Sequence, residues 1–214
     1  MAGRVRKKIL VTGATGFVGS HIVDELLASD LFEVHTLIRK TSSLLYLKDK
    51  PVILHYGNIL DYNSLLSSLA GIDIIIHSAG LIRARNFHQF YQYNTIGTEN
   101  LLRAALATKT AQKFIYISTQ AASSPSRDGR CICEEDVAHP VSQYGRSKRL
   151  AEIVLKQYKD KISVIALRPV AVYGPRDRET LKILQLLKLG FFIRPALKKT
   201  TVCLIYVKDL ARVC

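Results

Sequence analysis

The chain of 214 residues is long enough for one globular domain, or for one domain and part of a second. Its residues are 48% hydrophobic and 22% charged, which excludes a largely disordered chain and is typical of a globular protein with a sizeable core. The formal net charge of +14 favours phosphate-bearing ligands; without a basic stripe interleaved with aromatic residues, it does not indicate nucleic-acid binding.

The N-terminal region carries several basic residues before an apolar stretch that stops at Thr12-Gly13, which is too short for a signal peptide. No apolar run elsewhere approaches the roughly 18 residues of a membrane span. A cytoplasmic protein without membrane attachment is therefore expected. Four cysteines are present, at Cys131, Cys133, Cys203 and Cys214. Their spacing is not that of a zinc site, so reduced thiols and no bound metal are expected.

Three glycines at three-residue spacing, Gly13, Gly16 and Gly19, follow the first apolar run. Apolar residues then recur at every fourth position, which predicts a strand, a tight turn and a helix. Gly13 permits the turn, Gly16 lets the backbone approach a phosphate, and Gly19 allows the helix to pack closely on the strand. The helix N-terminus would then bind a pyrophosphate. A glycine-rich turn that binds nothing is the alternative, and the flanking strand and helix favour the nucleotide site.

A second strand is predicted at residues 32–38 and ends at Arg39-Lys40. In a nucleotide-binding sheet the adenosine ribose lies at this point, where an acid binds a 2′-hydroxyl and an arginine suits a 2′-phosphate. No acid occurs between Leu37 and Leu47, so the sequence favours NADP over NAD. The alternative is that Arg39 is only a solvated loop residue.

Four further strands are predicted at 52–56, 72–76, 113–117 and 163–167, with helices at 62–69, about 94–107 and 142–158. Asp61 is expected to cap the helix that begins at residue 62. Strands and helices that alternate in this way predict an α/β protein with a doubly wound parallel sheet. His77, at the end of the fourth strand, could be a catalytic base, but a packed strand-end histidine is the preferred interpretation.

Two segments could carry chemistry. Ser118 and Thr119 follow the fifth strand, at the edge of the sheet where ligands bind. Tyr144 and Lys148 lie four residues apart at the start of a helix and therefore share one face. An ammonium close to the phenol would lower the pKa of Tyr144 and fit it for proton transfer near neutral pH. A chance surface pair is the alternative, and the upstream hydroxyls and glycines argue against it.

These motifs resemble those of the extended branch of the short-chain dehydrogenase/reductase superfamily, the NAD-dependent epimerase/dehydratase family. The likeness covers nearly the whole chain, in TGATGFVGSHIVDEL, HSAG, NTIGTENLL, YGRSK and RPVAVYGPR. The resemblance implies a Rossmann fold in which Tyr144 is the acid/base and Lys148 holds the nicotinamide ribose and lowers the pKa of the tyrosine. It also implies that Thr119, with Ser118 beside it, binds the reacting oxygen of the substrate.

The resemblance further implies which residues contact the dinucleotide. They are Gly13, Thr15, Gly16, Phe17, Val18, Arg39, Asn58, Ile59, Ser78, Ala79, Gly80, Asn94, Tyr144, Lys148 and Pro169. Asn58 stands where the family usually has an aspartate beside the adenine. Asn94 would brace the central sheet against the region of the active-site helix.

The resemblance divides the chain into an NAD(P)-binding domain, residues 1–170, and the start of a smaller C-terminal substrate lobe, residues 171–214. Extended members continue for roughly a hundred residues more, so a truncated chain is expected. The implied protein is a homodimeric NAD(P)-dependent epimerase, dehydratase or reductase, with a nucleotide-sugar as the leading substrate. The alternatives are a reductase of a steroid-like or flavonol-like carbonyl, and a dinucleotide sensor without turnover.

Overall fold

A computed structural model describes residues 6–126, 131–191 and 202–214. Its centre is a six-stranded parallel sheet in the order β3-β2-β1-β4-β5-β6. The strands are β1 (Lys7–Thr12), β2 (Phe32–Ile38), β3 (Ile53–Tyr56), β4 (Ile74–His77), β5 (Lys113–Ile117) and β6 (Ser163–Leu167). The predicted doubly wound α/β sheet is therefore confirmed. Because the strand order reverses between β1 and β4, the carboxyl ends of these two strands flank the crevice where such sheets bind ligands.

Helices connect the strands of the sheet. They are α1 (Phe17–Ser29), α2 (Tyr62–Leu69), α3 (Phe87–Phe90), α4 (Gly97–Thr108) and α5 (Gln143–Gln157), with a π-helical turn (Tyr91–Ile96) before α4 and a 3₁₀ turn (Gln120–Ala122) after β5. Asp61 caps α2 as predicted, since its Oδ1 accepts from the backbone N–H groups of Asn63 at 3.2 Å and Ser64 at 3.3 Å. The helix predicted at 94–107 begins inside the π-helical turn.

The predicted bounds of the fourth strand are displaced, because β4 begins two residues later than expected. Asp73 precedes β4 and bonds to Lys8 instead: its backbone N–H donates to the Lys8 carbonyl at 2.9 Å, and its carboxylate accepts from the Lys8 N–H at 2.8 Å. Asp73, within the apolar run at 72–76, therefore uses its side chain to bind the backbone of β1 just before β4 begins.

The core lies on both faces of the sheet. Successive residues of a strand point to opposite faces, so Leu10 packs with the α2 and α4 side while Ile9 and Val11 pack with α1. Burial on both faces explains why the strands read as continuous apolar runs. The sheet is therefore fixed between two helical layers, and its carboxyl edge is held in place for a ligand.

The last part of the chain forms a second, two-stranded parallel sheet of β7 (Ala171–Tyr173) and β8 (Leu204–Tyr206), with α6 (Arg178–Lys188) and α7 (Val207–Val213). Ala211 of α7 packs in the same cluster as Ile22 of α1. The domain boundary at residue 170 stays a prediction. In the described parts of the chain, no helix has the length and apolarity to cross a membrane. The same residues contain no group of three His, Cys, Asp or Glu side chains that could hold a metal ion.

Candidate active site

The glycine loop after β1 has the geometry predicted for it. Gly13 has a φ of +71°, and a Cβ at this position would lie 2.7 Å from the backbone nitrogen of Ala79. A Cβ at Gly19 would lie 2.2 Å from the carbonyl oxygen of Gly13, so only glycine allows α1 to approach the turn this closely. The N–H of Gly16 donates to the Gly13 carbonyl at 2.9 Å and closes the turn.

The N-terminus of α1 differs from those of α2 and α5 in having no side-chain cap among the described residues. Asp61 caps α2 and Ser142 caps α5, whereas Gly16 precedes α1. The first amides of α1 are therefore left without a side-chain acceptor at the positive end of the helix dipole. This is the arrangement that binds a phosphate anion at a helix N-terminus.

A cleft of about 240 Å³ runs along the carboxyl edge of the sheet beside this loop. Nine of the residues predicted to bind a dinucleotide line it: Gly13, Thr15, Gly16, Arg39, Asn58, Ile59, Ser78, Ala79 and Gly80. The predicted contacts do not include the remaining lining residues, which are Thr12, Leu37, Ile38, Ser42, Gly57, Leu81 and Tyr93. Thr12, Leu37 and Ile38 lie at the carboxyl ends of predicted strands, and this position alone could have identified them as cleft residues. Nothing in the local sequence indicates that Ser42 or Tyr93 lines the cleft.

The far end of the cleft lies after β2, at Arg39 and Ser42. Arg39 is exposed, and its backbone N–H donates to the Ser42 hydroxyl at 3.3 Å. Neither Asp nor Glu is found among the described residues that line the cleft. Asn58 lines the same region, where its Oδ1 accepts from the Leu60 N–H at 3.1 Å in a local turn.

The structure brings Thr119 and Tyr144 together. Thr119 follows β5, its Oγ1 accepts from the Ala121 N–H at 3.2 Å, and its side chain lies close enough to the phenol of Tyr144 to lower the pKa of that group. Gly145 makes this contact possible, because a Cβ there would lie 2.0 Å from the Ala121 carbonyl oxygen. The start of α5 therefore rests directly on the 3₁₀ turn that follows Thr119.

The predicted lowering of the pKa of Tyr144 by Lys148 is wrong for this structure. Burial raises the pKa of Tyr144, and the nearby Thr119 side chain opposes that rise without cancelling it. The Lys148 ammonium instead donates to the carbonyl of Ile117 at 2.6 Å and lies 4.0 Å from the centre of the Tyr116 ring. Tyr144 is therefore a neutral phenol at pH 7, which is the proton-donating form.

Lys148 is only 4% exposed, and burial lowers its pKa to about 7, while the nearby charge of Glu152 acts to raise it. Its Nζ lies 3.9 Å from the point that a Cβ on Gly80 would occupy, so the ammonium reaches the end of the cleft. Because the pKa is near 7, the positive charge of Lys148 is present below that pH and is lost as the pH rises through it.

The side chain of Ser118 does not lie with the hydroxyls of Thr119 and Tyr144. The prediction that Ser118 stands beside Thr119 at the reacting oxygen of the substrate is therefore corrected. Its Oγ donates to Oε1 of Glu152 at 2.6 Å, and the residue is 3% exposed. Successive side chains of an extended segment point to opposite sides, so Ser118 points away when Thr119 faces Tyr144.

His77 is fully buried, and the preferred interpretation of a packed strand-end residue is confirmed. Its Nδ1 lies 2.6 Å from the Thr12 hydroxyl and its Nε2 lies 3.0 Å from the Thr98 hydroxyl. Burial lowers its pKa to about 3, so the imidazole is neutral and has no free nitrogen for catalysis.

Asn94 has the bracing role that the resemblance implied. Its Nδ2 donates to the Leu81 carbonyl and to the Ser147 hydroxyl, both at 2.9 Å, and its Oδ1 accepts from the Leu81 N–H at 2.7 Å. These bonds join the cleft to α5. Direct contact of Asn94 with a dinucleotide stays a prediction, as do the contacts of four residues that do not line the cleft, namely Phe17, Val18, Tyr144 and Lys148. The same holds for Pro169, whose carbonyl accepts from the Gln120 N–H at 2.9 Å.

Comparison with curated proteins finds relatives of several activities. A ceramide reductase of Caulobacter vibrioides is 33% identical over 212 residues, which are 99% of this chain and 61% of that protein. A UDP-glucose 4-epimerase of Mycoplasma pneumoniae is 32% identical over 183 residues, which are 79% of this chain and 54% of that protein. The chain thus spans about three fifths of the length of these curated relatives.

Solved structures that resemble this chain also include a dehydratase and an epimerase. A dTDP-glucose 4,6-dehydratase of Streptomyces venezuelae, with NAD and TYD bound, superposes with a TM-score of 0.84 at 26% identity, over 96% of this chain and 70% of that one. A UDP-glucuronic acid 4-epimerase of Bacillus cereus, in complex with NAD, does so with a TM-score of 0.81 at 26% identity, over 96% and 71%. The family model described as NAD dependent epimerase/dehydratase matches residues 9–214. The chain therefore belongs to the NAD-dependent epimerase/dehydratase family.

Proposed function

We propose that the protein is an NAD(P)-dependent epimerase, dehydratase or reductase that acts on a hydroxyl-bearing or carbonyl carbon, with a nucleotide-sugar as the leading substrate. The observation that carries this proposal is the proximity of Thr119 to the buried phenol of Tyr144, at the same edge of the sheet as the glycine-loop cleft. The relatives that act on nucleotide-sugars support the substrate class. A homodimer and a cytoplasmic location belong to the same proposal.

The chain's residues suit the two halves of such a site. The amides at the start of α1 would bind the pyrophosphate, and Ser78 to Gly80 would lie along the nicotinamide half. A bound nicotinamide supplies or accepts the hydride, which is chemistry that no side chain provides. In the direction of carbonyl reduction, the phenol of Tyr144 would donate its proton to the substrate oxygen, and Thr119 would orient that oxygen by a hydrogen bond. In the reverse direction, oxidation of a hydroxyl, the Tyr144 phenolate would take up the hydroxyl proton. The Lys148 ammonium at Gly80 would hold the adjoining ribose.

The proposal is tested by identifying the bound nucleotide and the substrate separately. Mass spectrometry of the freshly purified protein should find NAD(H) or NADP(H), or titration with each should show saturable binding. UDP-glucose, dTDP-glucose and a long-chain ketone are then offered to the loaded protein, and products are separated by chromatography. Absence of any dinucleotide binding would remove the proposed function.

A carbonyl reductase is the second candidate, and one observation favours it. The ceramide reductase matches nearly the whole of this chain, whereas the UDP-glucose 4-epimerase matches less of it. A reductase must release its oxidised cofactor in every catalytic cycle, whereas an epimerase returns the hydride to the same substrate molecule. Stoichiometric consumption of NADPH or NADH with the ketone, and no conversion of the nucleotide-sugars, would select the reductase.

NADP rather than NAD is proposed as the preferred cofactor, on the basis of Arg39. This exposed guanidinium lies where the described cleft residues include no carboxylate that would repel a 2′-phosphate. Arg39→Ala is expected to weaken NADP binding about tenfold, because a charge-assisted contact contributes about 1.5 kcal/mol, and to leave NAD binding unchanged. Lys40→Ala, the change at the neighbouring exposed cation, is the control. Equal affinities of the wild type and Arg39→Ala for NADP would exclude Arg39 as a determinant of cofactor choice.

A further inference from the structure

Glu152 is a buried carboxylate that no motif marks. It is 3% exposed, and four hydrogen bonds satisfy its two oxygens. Oε1 accepts from Ser118 Oγ at 2.6 Å and from Arg168 Nε at 2.9 Å. Oε2 accepts from a terminal nitrogen of Arg168 at 2.7 Å and from one of Arg149 at 3.1 Å. A carboxylate held in this bidentate way is fixed in orientation as well as in charge.

The partners of Glu152 come from three elements that meet beneath the Thr119–Tyr144 pair. Ser118 directly follows β5 and precedes Thr119, and Arg168 directly follows β6. The backbone joins the same elements, since the Ser118 N–H donates to the Leu167 carbonyl at 2.7 Å. Glu152 itself belongs to α5, two turns after Tyr144. Its hydrogen bonds therefore set how α5 stands relative to the strand end that carries Thr119.

Glu152 also lies one helical turn after Lys148, on the same face of α5. The other titratable groups around the ammonium are neutral near pH 7: Tyr116 of β5, His77 of β4 and Tyr144 on the same helix. In the part of the chain that the structure describes, Lys148 makes no ion pair. Glu152 is thus the carboxylate whose field acts on the buried ammonium, and the two arginines partly offset it.

We propose that Glu152 is a positioning residue of this site: it fixes the strand end that carries Thr119 against α5 through Ser118 and Arg168, and its carboxylate is the charge that faces Lys148 from one helical turn away. The inference rests on the proposed function for its consequence, the binding of a dinucleotide. The electrostatic coupling of Glu152 to Lys148 can be measured without any substrate.

The coupling is measured on the full chain by ¹³C NMR, with lysine labelled at Cε and the Lys148 signal assigned by its loss in Lys148→Arg. In the wild type this signal should titrate near pH 7. In Glu152→Gln, which keeps the shape and removes the charge, the midpoint should fall by about one pH unit or more. Arg168→Gln, which leaves Glu152 less neutralised, should move the midpoint upward. Asp160→Asn, an equal charge change at an exposed position, should leave it unchanged.

The second measurement is dinucleotide affinity, obtained by titrating each variant with NADH and NADPH at pH 7. Glu152→Gln should bind the dinucleotide about tenfold more weakly than Asp160→Asn. A merely structural role would lower the thermal midpoint without moving the Lys148 titration. An unmoved titration in folded Glu152→Gln would overturn the inference; if that variant does not fold, an unmoved or lowered midpoint in Arg168→Gln would do so. If the titrations respond as expected while the wild type binds neither dinucleotide, the coupling stands and the proposed function fails.

Discussion

Replacement of Tyr144 by phenylalanine is expected to lower kcat by about 10²–10⁴-fold while leaving the dinucleotide Kd within about twofold. The change removes only the phenol oxygen, which lies near Thr119 and carries the transferable proton. The ring, whose centre lies 6.1 Å from that of Phe90, is retained, so the packing of α5 should not change. The measurement is kcat with the substrate that the wild type converts, together with dinucleotide titration of both proteins.

Tyr56→Phe is the matched control for the chemical step, because Tyr56 is half exposed on the edge strand β3, which is separated from β5 and Thr119 by three strands in the sheet order. It should leave kcat unchanged. If Tyr144→Phe converts substrate at the wild-type rate, the catalytic assignment of Tyr144 is wrong. If the wild type binds a dinucleotide but converts none of the nucleotide-sugars or ketones, a sensor without turnover becomes the better description.

Gly145→Ala should damage both stability and activity, because the added methyl group meets backbone. Its Cβ would lie 2.0 Å from the Ala121 carbonyl oxygen, and neither the 3₁₀ turn nor α5 can relieve the overlap by rotating a side chain. We expect a loss of about 2–3 kcal/mol in the free energy of unfolding, the usual cost of overpacking. A shift of α5 by about 1 Å would separate Tyr144 from Thr119 and lower kcat/KM about 100-fold.

Urea unfolding and initial-rate kinetics check this prediction. Gln143→Ala, an exposed position two residues earlier on the same helix, should change the free energy of unfolding by less than about 0.5 kcal/mol. A Gly145→Ala protein that unfolds and turns over like Gln143→Ala would show that the close contact of α5 with the 3₁₀ turn is not needed.

The fold could be predicted from the sequence to a large extent, because local patterns determine most of it. The strands at 32–38, 113–117 and 163–167 begin and end as predicted, since each has a local pattern of apolar residues typical of a strand. Asp61 has the predicted cap bonds for the same reason: a cap involves only the next three residues. The displaced start of β4 depends on Asp73 meeting the backbone of Lys8, a contact 65 residues away that no local pattern reports.

The candidate site could be predicted in its residue types but not in its electrostatics. The spacing of Tyr144 and Lys148 correctly indicates a shared helix face, yet it gives no measure of burial, which decides the direction of both pKa shifts. Ser118 was misplaced because its partner Glu152 lies 34 residues later in the chain. Ser42 joins the cleft only through the fold of the loop after β2.

The buried bonds of His77 have one further consequence, for how a pH profile of this protein should be interpreted. The Thr98 hydroxyl donates to the Asn94 carbonyl at 2.7 Å and so accepts from Nε2–H of His77, which leaves Nδ1 to accept from Thr12. Thr12 in turn accepts from the Ala79 N–H at 3.2 Å, so the donors all point one way, from the glycine-loop cleft to the π-helical turn. With a pKa near 3, the imidazole carries no proton switch between pH 5 and 9. An inflection near neutrality in the activity of this protein would therefore not report His77, whereas the pKa of Lys148, at about 7, lies in that range.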